Sequence, residues 1–187
     1  MFIAEKLRQE NIAEYLLYMW QVEDTIRAYG CDAERIAKEY VPQFRLDAEK
    51  AAKLSQWYAN LCAMMRSEGV REKGHLQINR NVTAELAELS QQLLESHNFP
   101  RYRSAYFRAL PDIMELRKKG NASTLSDIEV CFNALYGVML LRLGKKPVSE
   151  GTEAAVKEIS GVMALLAAYY KENRKKPLDF NGANGIS

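Results

Sequence analysis

The stretch IAEYLLYMWQV, Ile12 to Val22, is composed almost entirely of residues that are common in buried helices. Within it only Glu14 and Gln21 are strongly polar. Elsewhere prolines are few, and no alternation of apolar and polar residues is bounded by Asn-Gly or Asp-Gly turns, so a sheet is not expected. The stretch and its surroundings therefore predict an all-α fold.

Length and composition predict one globular domain over residues 1–176 and a flexible tail over 177–187. The chain has 187 residues, of which 48% are hydrophobic and 27% charged, as in ordinary packed domains. The closing letters PLDFNGANGIS offer no periodic apolar anchors. A net charge of +2 gives no electrostatic reason to expect nucleic acid or an anionic membrane as the partner.

Cysteine usage and hydropathy predict a cytoplasmic location. Cys31, Cys62 and Cys131 are widely separated and odd in number, which is typical of free thiols in a reducing compartment. The opening letters are charged from Glu5 through Glu10, which leaves no room for the apolar part of a secretory signal. The most apolar run, 159–170, is well short of the ~20 residues that span a bilayer.

Helical periodicity and breaking residues predict six or seven helices in a single bundle. The first is expected over about 3–29, ending at Gly30. The others are expected at 32–40, 47–66, 82–93, 102–114, 126–143 and 149–173. Asp32 is expected to cap the second, and Ser126 with Glu129 forms a capping box at the start of the sixth. The third and fourth each carry one apolar stripe, made of Ala51, Leu54, Tyr58, Leu61 and Met65 and of Val82, Leu86, Leu89 and Leu93. Pro111 either kinks the fifth of these segments or starts a new helix, and the sequence favours both equally.

Several long phrases of the sequence resemble a known family. They are NIAEYLLYMWQVEDTIRAY, GHLQIN, ALPDIMELRKKG and DIEVCFNALYGVMLLRL. Together they resemble uncharacterised all-helical bacterial proteins that are classified as a domain of unknown function. The resemblance covers nearly the whole chain and implies an all-helical fold. It implies no activity, cofactor or functional residue.

No motif predicts a metal, a cofactor or a catalytic centre. A helical dinuclear site uses two Glu-x-x-His pairs on facing helices, whereas only Glu72 and His75 have that spacing here, in a predicted loop. No serine or cysteine lies in a recognisable nucleophile turn, and Cys131 is expected to be a small buried residue. Whether the protein is an enzyme is therefore left open.

The segment FPRYRSAYFRALPD interleaves arginines with aromatic residues, as proteins that bind single-stranded nucleic acid do. Helical spacing explains the pattern more simply, since Arg108 can pair with Asp112 four residues on while the tyrosines lie on another face. Without a basic excess, no nucleic-acid partner is predicted.

Glu14, Tyr18 and Gln21 are the candidate ligand-binding residues. Seven residues turn a helix by about 700°, so Glu14 and Gln21 lie within about 20° of each other, with Tyr18 near the same line. Together they form a polar seam in an apolar helix. Glu23 and Arg27, in contrast, are spaced for an ordinary exposed ion pair.

A carboxylate at Glu14 among apolar neighbours would be costly without a partner. Arg142 is the expected partner in a structural network, and a bound ligand is the alternative. If the network exists, Glu14→Ala should lower stability by about 3 to 5 kcal/mol. If the carboxylate faces a pocket, stability should hold or rise.

Two functions of different classes follow. The first is a structural or protein-interaction domain that forms a homodimer, because the first helix carries apolar residues on several sides. The alternative is a small-molecule-binding bundle or an enzyme that uses the polar seam.

Overall fold

A computed structural model describes residues 1–120 and 123–181 of the chain. Within these ranges the protein has eight α-helices and no strand. They are α1 (Phe2–Glu10), α2 (Ile12–Ala28), α3 (Ala33–Arg35), α4 (Ala48–Ser67), α5 (Gln77–Glu95), α6 (Pro100–Lys119), α7 (Asp127–Leu143) and α8 (Glu150–Lys175). The all-α prediction is confirmed, and the expected six or seven helices become eight.

The chain divides into two compact units instead of one bundle. Unit 1 comprises Met1–Gln9 and Glu14–Val82, and unit 2 comprises Glu10–Ala13 and Thr83–Ser187. The last of the three boundaries, between Val82 and Thr83, falls within α5. Apolar periodicity could not foresee it, because a periodic stripe shows which face of a helix is buried but not which segment covers that face.

The predicted first helix is two helices, separated at Asn11. The side-chain oxygen of Asn11 accepts a hydrogen bond from the backbone N–H of Ala13, at 3.1 Å. Asparagine competes in this way for the unsatisfied amides at a helix start, so α2 begins at Ile12 as a new helix. The expected end is confirmed, since Gly30 has a positive φ of 68° just beyond α2.

The short segment after Gly30 is less regular than predicted. Asp32 caps it as expected, accepting hydrogen bonds from the backbone of Glu34 and Arg35. The helix then widens into a π-helical turn at Ile36–Tyr40 and tightens into a 3-10 turn at Val41–Phe44. One predicted helix is thus three short turns in succession.

The amphipathic helix α4 has the boundaries and the face that its spacing predicts. Asp47 caps it by accepting a hydrogen bond from the Lys50 amide, at 2.8 Å. Its buried side chains are Leu54, Tyr58, Leu61, Cys62 and Met65. The face expected from the three- and four-residue spacing is therefore the face that packs.

Unit 2 contains α6, α7 and α8, of which α7 and α8 begin with a side-chain cap. Pro111 lies inside α6, which continues through it as one helix. Ser126 and Glu129 form the predicted capping box of α7, with reciprocal hydrogen bonds of 3.2 and 2.7 Å. Ser149 caps α8 by accepting from the Thr152 amide.

Residues 177–181 make contacts that the sequence did not predict. The Ser96 hydroxyl donates to the Phe180 carbonyl at 2.9 Å, and the Asn98 side chain donates to the Asp179 carbonyl at 3.0 Å. The remainder of the predicted flexible tail, 182–187, lies outside the described residues. Flexibility of the tail stays a prediction.

All three cysteines are free, as expected, and Cys131 is buried as predicted. Cys31 and Cys62 are buried as well. Burial raises the pKa of Cys131 to about 12, so its thiol is a packing group and a poor nucleophile near neutral pH. In the part of the chain that the structure describes, none of the helices combines the length and the apolar character that crossing a membrane requires.

Buried tyrosines should make the fold sensitive to alkali. Burial raises the pKa of Tyr58, Tyr102 and Tyr106 above the ordinary value of 10.0. A raised pKa in the folded state stabilises the fold below the unfolded pKa, and this contribution is lost as pH rises further. We expect the free energy of unfolding to fall above about pH 10. Phenolate absorbance should show part of the ten tyrosines ionising only on unfolding. Full ionisation in the folded protein would contradict this.

Candidate functional site

The structure does not bury the polar seam predicted on the first helix. Glu14 is exposed, and Tyr18 and Gln21 are half-buried. The expectation of a buried Glu14 carboxylate is therefore wrong. Helical spacing places these residues on one line but does not determine whether that line faces solvent. Arg142, the expected partner, is exposed and forms an ion pair with Glu153.

Tyr18 lies near an aromatic cluster of unit 1. Burial, and next the neighbouring Tyr40, raise the pKa of the Tyr18 hydroxyl. The Tyr40 ring meets the Tyr58 ring edge-on, with 5.6 Å between centroids. Tyr18 thus has a packing role beside these rings. Whether Glu14, Tyr18 and Gln21 also bind a ligand stays a prediction.

The buried carboxylate of α2 belongs to Glu23, whose side chain is 0% exposed. One oxygen, Oε1, accepts hydrogen bonds from the Leu76 amide at 2.9 Å and from the Asn79 side chain at 2.7 Å. The other, Oε2, lies 2.6 Å from Nδ1 of His75. Three hydrogen bonds compensate for removing the carboxylate from water.

Arg27 does not form the exposed pair with Glu23 that its spacing suggested. Its guanidinium instead forms an ion pair with Asp24 at 2.7 Å. It also donates to the backbone carbonyls of Val70, at 3.3 Å, and Gly74. Arg27 thereby holds the loop that leads to His75.

Gly74 turns this loop into place immediately before His75. Its φ is +87°, a conformation that side-chain-bearing residues rarely adopt. An added Cβ would lie 3.6 Å from a side-chain carbon of Val70, an ordinary contact. The backbone conformation, more than space, is therefore what calls for glycine here.

His75 stands between Glu23 and the ring of Trp20. The His75 and Trp20 rings are stacked, with 4.0 Å between their centroids and 15° between their planes. Because the carboxylate can only accept, Nδ1 of His75 is the donor to Glu23. The neutral ring therefore has its hydrogen on Nδ1 and a lone pair on Nε2. The side chain is 30% exposed.

Glu23 also completes the start of α5. The Leu76 amide and the Asn79 side chain lie at the first turn of this helix, which has no acidic residue of its own there. Negative charge near a helix N-terminus is favourable, because the amides there are unsatisfied and point outward. Glu68 contributes in the same way, accepting from the Gln77 amide at 2.6 Å.

A signal for Glu23 was present in the sequence. Leu16, Met19, Glu23 and Ile26 are spaced by three, four and three residues and share one face of α2. All four are buried. A carboxylate that interrupts such a stripe must be buried with it. The four-residue spacing of Glu23 and Arg27 suggested an exposed ion pair instead. His75 and Asn79 lie in the phrase GHLQIN, which carried no functional meaning by itself.

Unit 2 exposes apolar side chains on α7. Tyr136, Leu140 and Leu143, here called the α7 surface, lie within about 60° of one another around the helix. Leu140 is 44% exposed and Leu143 65% exposed, and Tyr136 is half-buried. Phe132 lies only about 20° from Leu143 around the axis but is 0% exposed. The same side of α7 is thus covered at its start and open at its end.

A second exposed apolar pair lies on α6. Phe107 and Met114 are seven residues apart, and about half of each side chain is exposed, 55% and 51%. The expected pair of Arg108 with Asp112 is replaced by contacts of Arg108 with Glu158 and Ser104. Arg108 therefore belongs to a solvated ion pair on unit 2.

Within residues 1–120 and 123–181, no group of three or more His, Cys, Asp and Glu side chains is arranged to hold a metal ion. Glu72 is exposed, and the partner of His75 is Glu23. The one Glu-x-x-His spacing of the chain thus has a different meaning in the fold, since His75 is oriented by a residue of α2.

Comparison with known proteins places the chain in a family without assigning it an activity. No curated protein and no solved structure matches it. One family profile, described as a domain of unknown function (DUF4924), matches residues 1–177. The match includes both the Glu23–His75 pair and the α7 surface. The chain therefore belongs to the DUF4924 family, a domain of unknown function.

Proposed function

We propose that the protein is a cytoplasmic interaction domain that forms a homodimer through the α7 surface. The observation that supports this is the open end of α7, where Leu140 and Leu143 expose 44% and 65% of their area. Exposed apolar patches on folded domains are commonly places where another protein binds. Covering these leucines removes apolar area from water and so favours association.

A second copy of the chain is the proposed partner. Symmetric dimers are the commonest oligomers, and their twofold axis sets the same patch of each subunit against itself. A helix surface of Tyr136, Leu140 and Leu143 suits such self-association, since leucine and tyrosine pack against their own kind without unpaired charge. Arg142, at the edge of this surface, already has Glu153 as its partner.

The apolar residues of α2, which led the sequence to predict a dimer, are covered within the chain itself. Ile12, Leu16, Met19, Trp20 and Ile26 of α2 are already buried in the single chain. They therefore leave no apolar face that a second subunit would need to cover. The proposed dimer interface is therefore the α7 surface and not the first helix.

The wild-type protein is expected to elute as a dimer in size-exclusion chromatography with light scattering at micromolar concentration. Leu140→Glu combined with Leu143→Glu should make it monomeric, because two carboxylates per subunit would be desolvated at the interface. The folded content, measured by circular dichroism, should change little, since both side chains are exposed.

The matched control places the same two charges on α8, as Ala154→Glu with Ala164→Glu. Both alanines are exposed in unit 2. This variant should stay dimeric. A monomeric wild-type protein would refute the proposal, and so would a double leucine variant that remains dimeric.

A small-molecule-binding or catalytic role for Glu14, Tyr18 and Gln21 is the alternative. The exposure of Glu14 weakens it, because an exposed carboxylate needs no ligand to compensate for lost hydration. A thermal-shift screen of metabolites and nucleotides against wild type and Glu14→Ala tests it. A stabilising compound whose effect disappears in the variant would favour this alternative. The absence of nucleic acid, membrane, metal and cofactor partners is likewise part of the proposal.

A further inference from the structure

The Glu23–His75 pair combines a buried anion with a partly exposed base. Glu23 is 0% exposed, whereas His75 is 30% exposed. Of the three groups that donate to Glu23, the Leu76 amide and the Asn79 side chain are buried. His75 alone connects the buried carboxylate to the surface.

The exposed part of the imidazole is limited by its neighbours. Its Nδ1 edge faces Glu23 at 2.6 Å, and Trp20 covers one face of the ring at 4.0 Å. Glu23 does not engage Nε2, and Nε2 is not one of the buried polar atoms of the described residues that lack a hydrogen-bond partner. Nε2 carries the lone pair, because the hydrogen bond to the carboxylate keeps the ring hydrogen on Nδ1.

We propose that His75 is a proton-accepting site, at which Nε2 removes a proton from a hydroxyl compound, water included. The hydroxyl group donates a hydrogen bond to Nε2. When its O–H bond breaks, the proton forms a bond with Nε2 and the electron pair stays on oxygen. The resulting imidazolium is stabilised by the negative charge of Glu23, as in the carboxylate–histidine arrangement of general bases. His75 is the base and Glu23 is a positioning residue.

A structural function alone would explain less of this geometry. Holding the loop and the start of α5 requires only acceptors for the Leu76 amide and the Asn79 side chain, and Oε1 serves both. The second oxygen, Oε2, accepts from Nδ1 of His75. Its consequence is a defined tautomer on a partly exposed ring, which is the property that a general base needs.

The chain contains its own control histidine. Only two histidines are present, and the other, His97, is exposed. The Arg103 guanidinium lies 3.2 Å from Nδ1 of His97 and can only donate, so that atom is the acceptor. In the neutral ring of His97 the hydrogen is therefore on Nε2. The two histidines should be opposite tautomers.

Nitrogen NMR of the labelled wild-type protein tests the tautomers directly. Above the range in which the imidazoles are charged, the ring-nitrogen shifts should identify Nδ1–H in His75 and Nε2–H in His97. A His75 ring with its hydrogen on Nε2 would overturn the proposal without any mutation.

Diethyl pyrocarbonate tests whether the Nε2 lone pair is available. Nε2 attacks a carbonyl carbon, the new N–C bond forms, and the bond to ethyl carbonate breaks, with the Nδ1 proton leaving with that group. Mass spectrometry measures the rate at each histidine. We expect His75 to react about 10 to 100 times faster than His97, by analogy with the effect that the hydrogen-bond partner of a metal-ligating histidine commonly has on affinity or activity. An equal or slower rate at His75 would overturn the proposal.

The variant Glu23→Gln should reverse the tautomer of His75, while the side chain at position 23 keeps its shape. The amide oxygen must face the Leu76 and Asn79 donors, since the amide nitrogen cannot accept from them. The amide NH₂ then faces Nδ1 of His75, which becomes an acceptor, and the ring hydrogen moves to Nε2. The His75 rate should fall to that of His97, and the His97 rate should not change. An unchanged His75 rate in the folded variant would overturn the proposal. Should the variant not fold, the two wild-type measurements still decide.

Discussion

Glu23→Ala lowers the free energy of unfolding by about 2 to 6 kcal/mol, because it leaves two buried donors unsatisfied at a cost of about 1 to 3 kcal/mol each. The substitution leaves the buried Leu76 amide and the Asn79 side chain without the acceptor that both now share. It also removes the negative charge at the start of α5. Chemical denaturation at neutral pH measures the loss, which is a large share of a typical domain's stability.

Glu14→Ala is the matched control, with the same substitution on the same helix. Glu14 is exposed, and exposed substitutions usually change stability by less than about 0.5 kcal/mol. This reverses the expectation drawn from sequence, which gave Glu14 the large effect. Equal losses in the two variants would contradict the assignment of Glu23 as the buried carboxylate.

Glu23→Gln should cost less than Glu23→Ala. The glutamine oxygen can still accept from the Leu76 amide and the Asn79 side chain, and the glutamine NH₂ can donate to Nδ1 of His75, so all three contacts persist. What is lost is the negative charge. A Gln variant as unstable as the Ala variant would show that charge, more than hydrogen bonding, holds this part of unit 1 together.

Local signals in the sequence predicted the helices well. Asp47, Ser126 with Glu129, and Ser149 cap the helices that they were expected to start. Such signals act within one turn, so they can be read from a few neighbouring letters. Asn11 is a signal of the same kind, but the helix-forming residues on both sides of it predict a continuous helix.

The candidate site could not be predicted in the same way, because its parts are distant in the sequence. Glu23 and His75 are separated by 52 residues. The sequence could show that Glu23 interrupts an apolar stripe, but not which donors meet it. The same reasoning isolates Glu14, yet Glu14 is exposed, and Tyr18 and Gln21 on its line around α2 are half-buried. Spacing fixes the relative directions of side chains on one helix, whereas their burial depends on the segments that pack against it.

The sequence could not predict the division into two units for the same reason, since it depends on which distant segments pack together. The stripes that the sequence predicted on α4 and α5 are buried except for Ala51, which is half-buried. A stripe on its own is compatible with one bundle or with two smaller cores. Only contacts between distant segments distinguish these cases.

Asp127→Ala is expected to lower the free energy of unfolding by about 2 to 3 kcal/mol, because hydrogen bonds to charged groups contribute more than neutral ones. Asp127 lies at the start of α7 and accepts from two residues of α6, the Tyr106 hydroxyl and the Arg117 guanidinium. The pair with Arg117 is partly exposed and contributes less, since solvent screens it. Most of the loss therefore comes from Tyr106, which is buried and would keep a hydroxyl without its acceptor.

Glu150→Ala separates this contact from the effect of charge at a helix start. Asp127 and Glu150 both lie in the first turn of their helices, so the negative charge of each interacts favourably with the helix dipole. Glu150 is exposed, and its removal should cost only about 0.3 to 1 kcal/mol. If the two losses are equal, the dipole explains Asp127 and the contact with α6 contributes nothing. A larger loss for Asp127 that disappears in a Tyr106→Phe background would assign the difference to the hydroxyl, because the two substitutions then remove the same hydrogen bond.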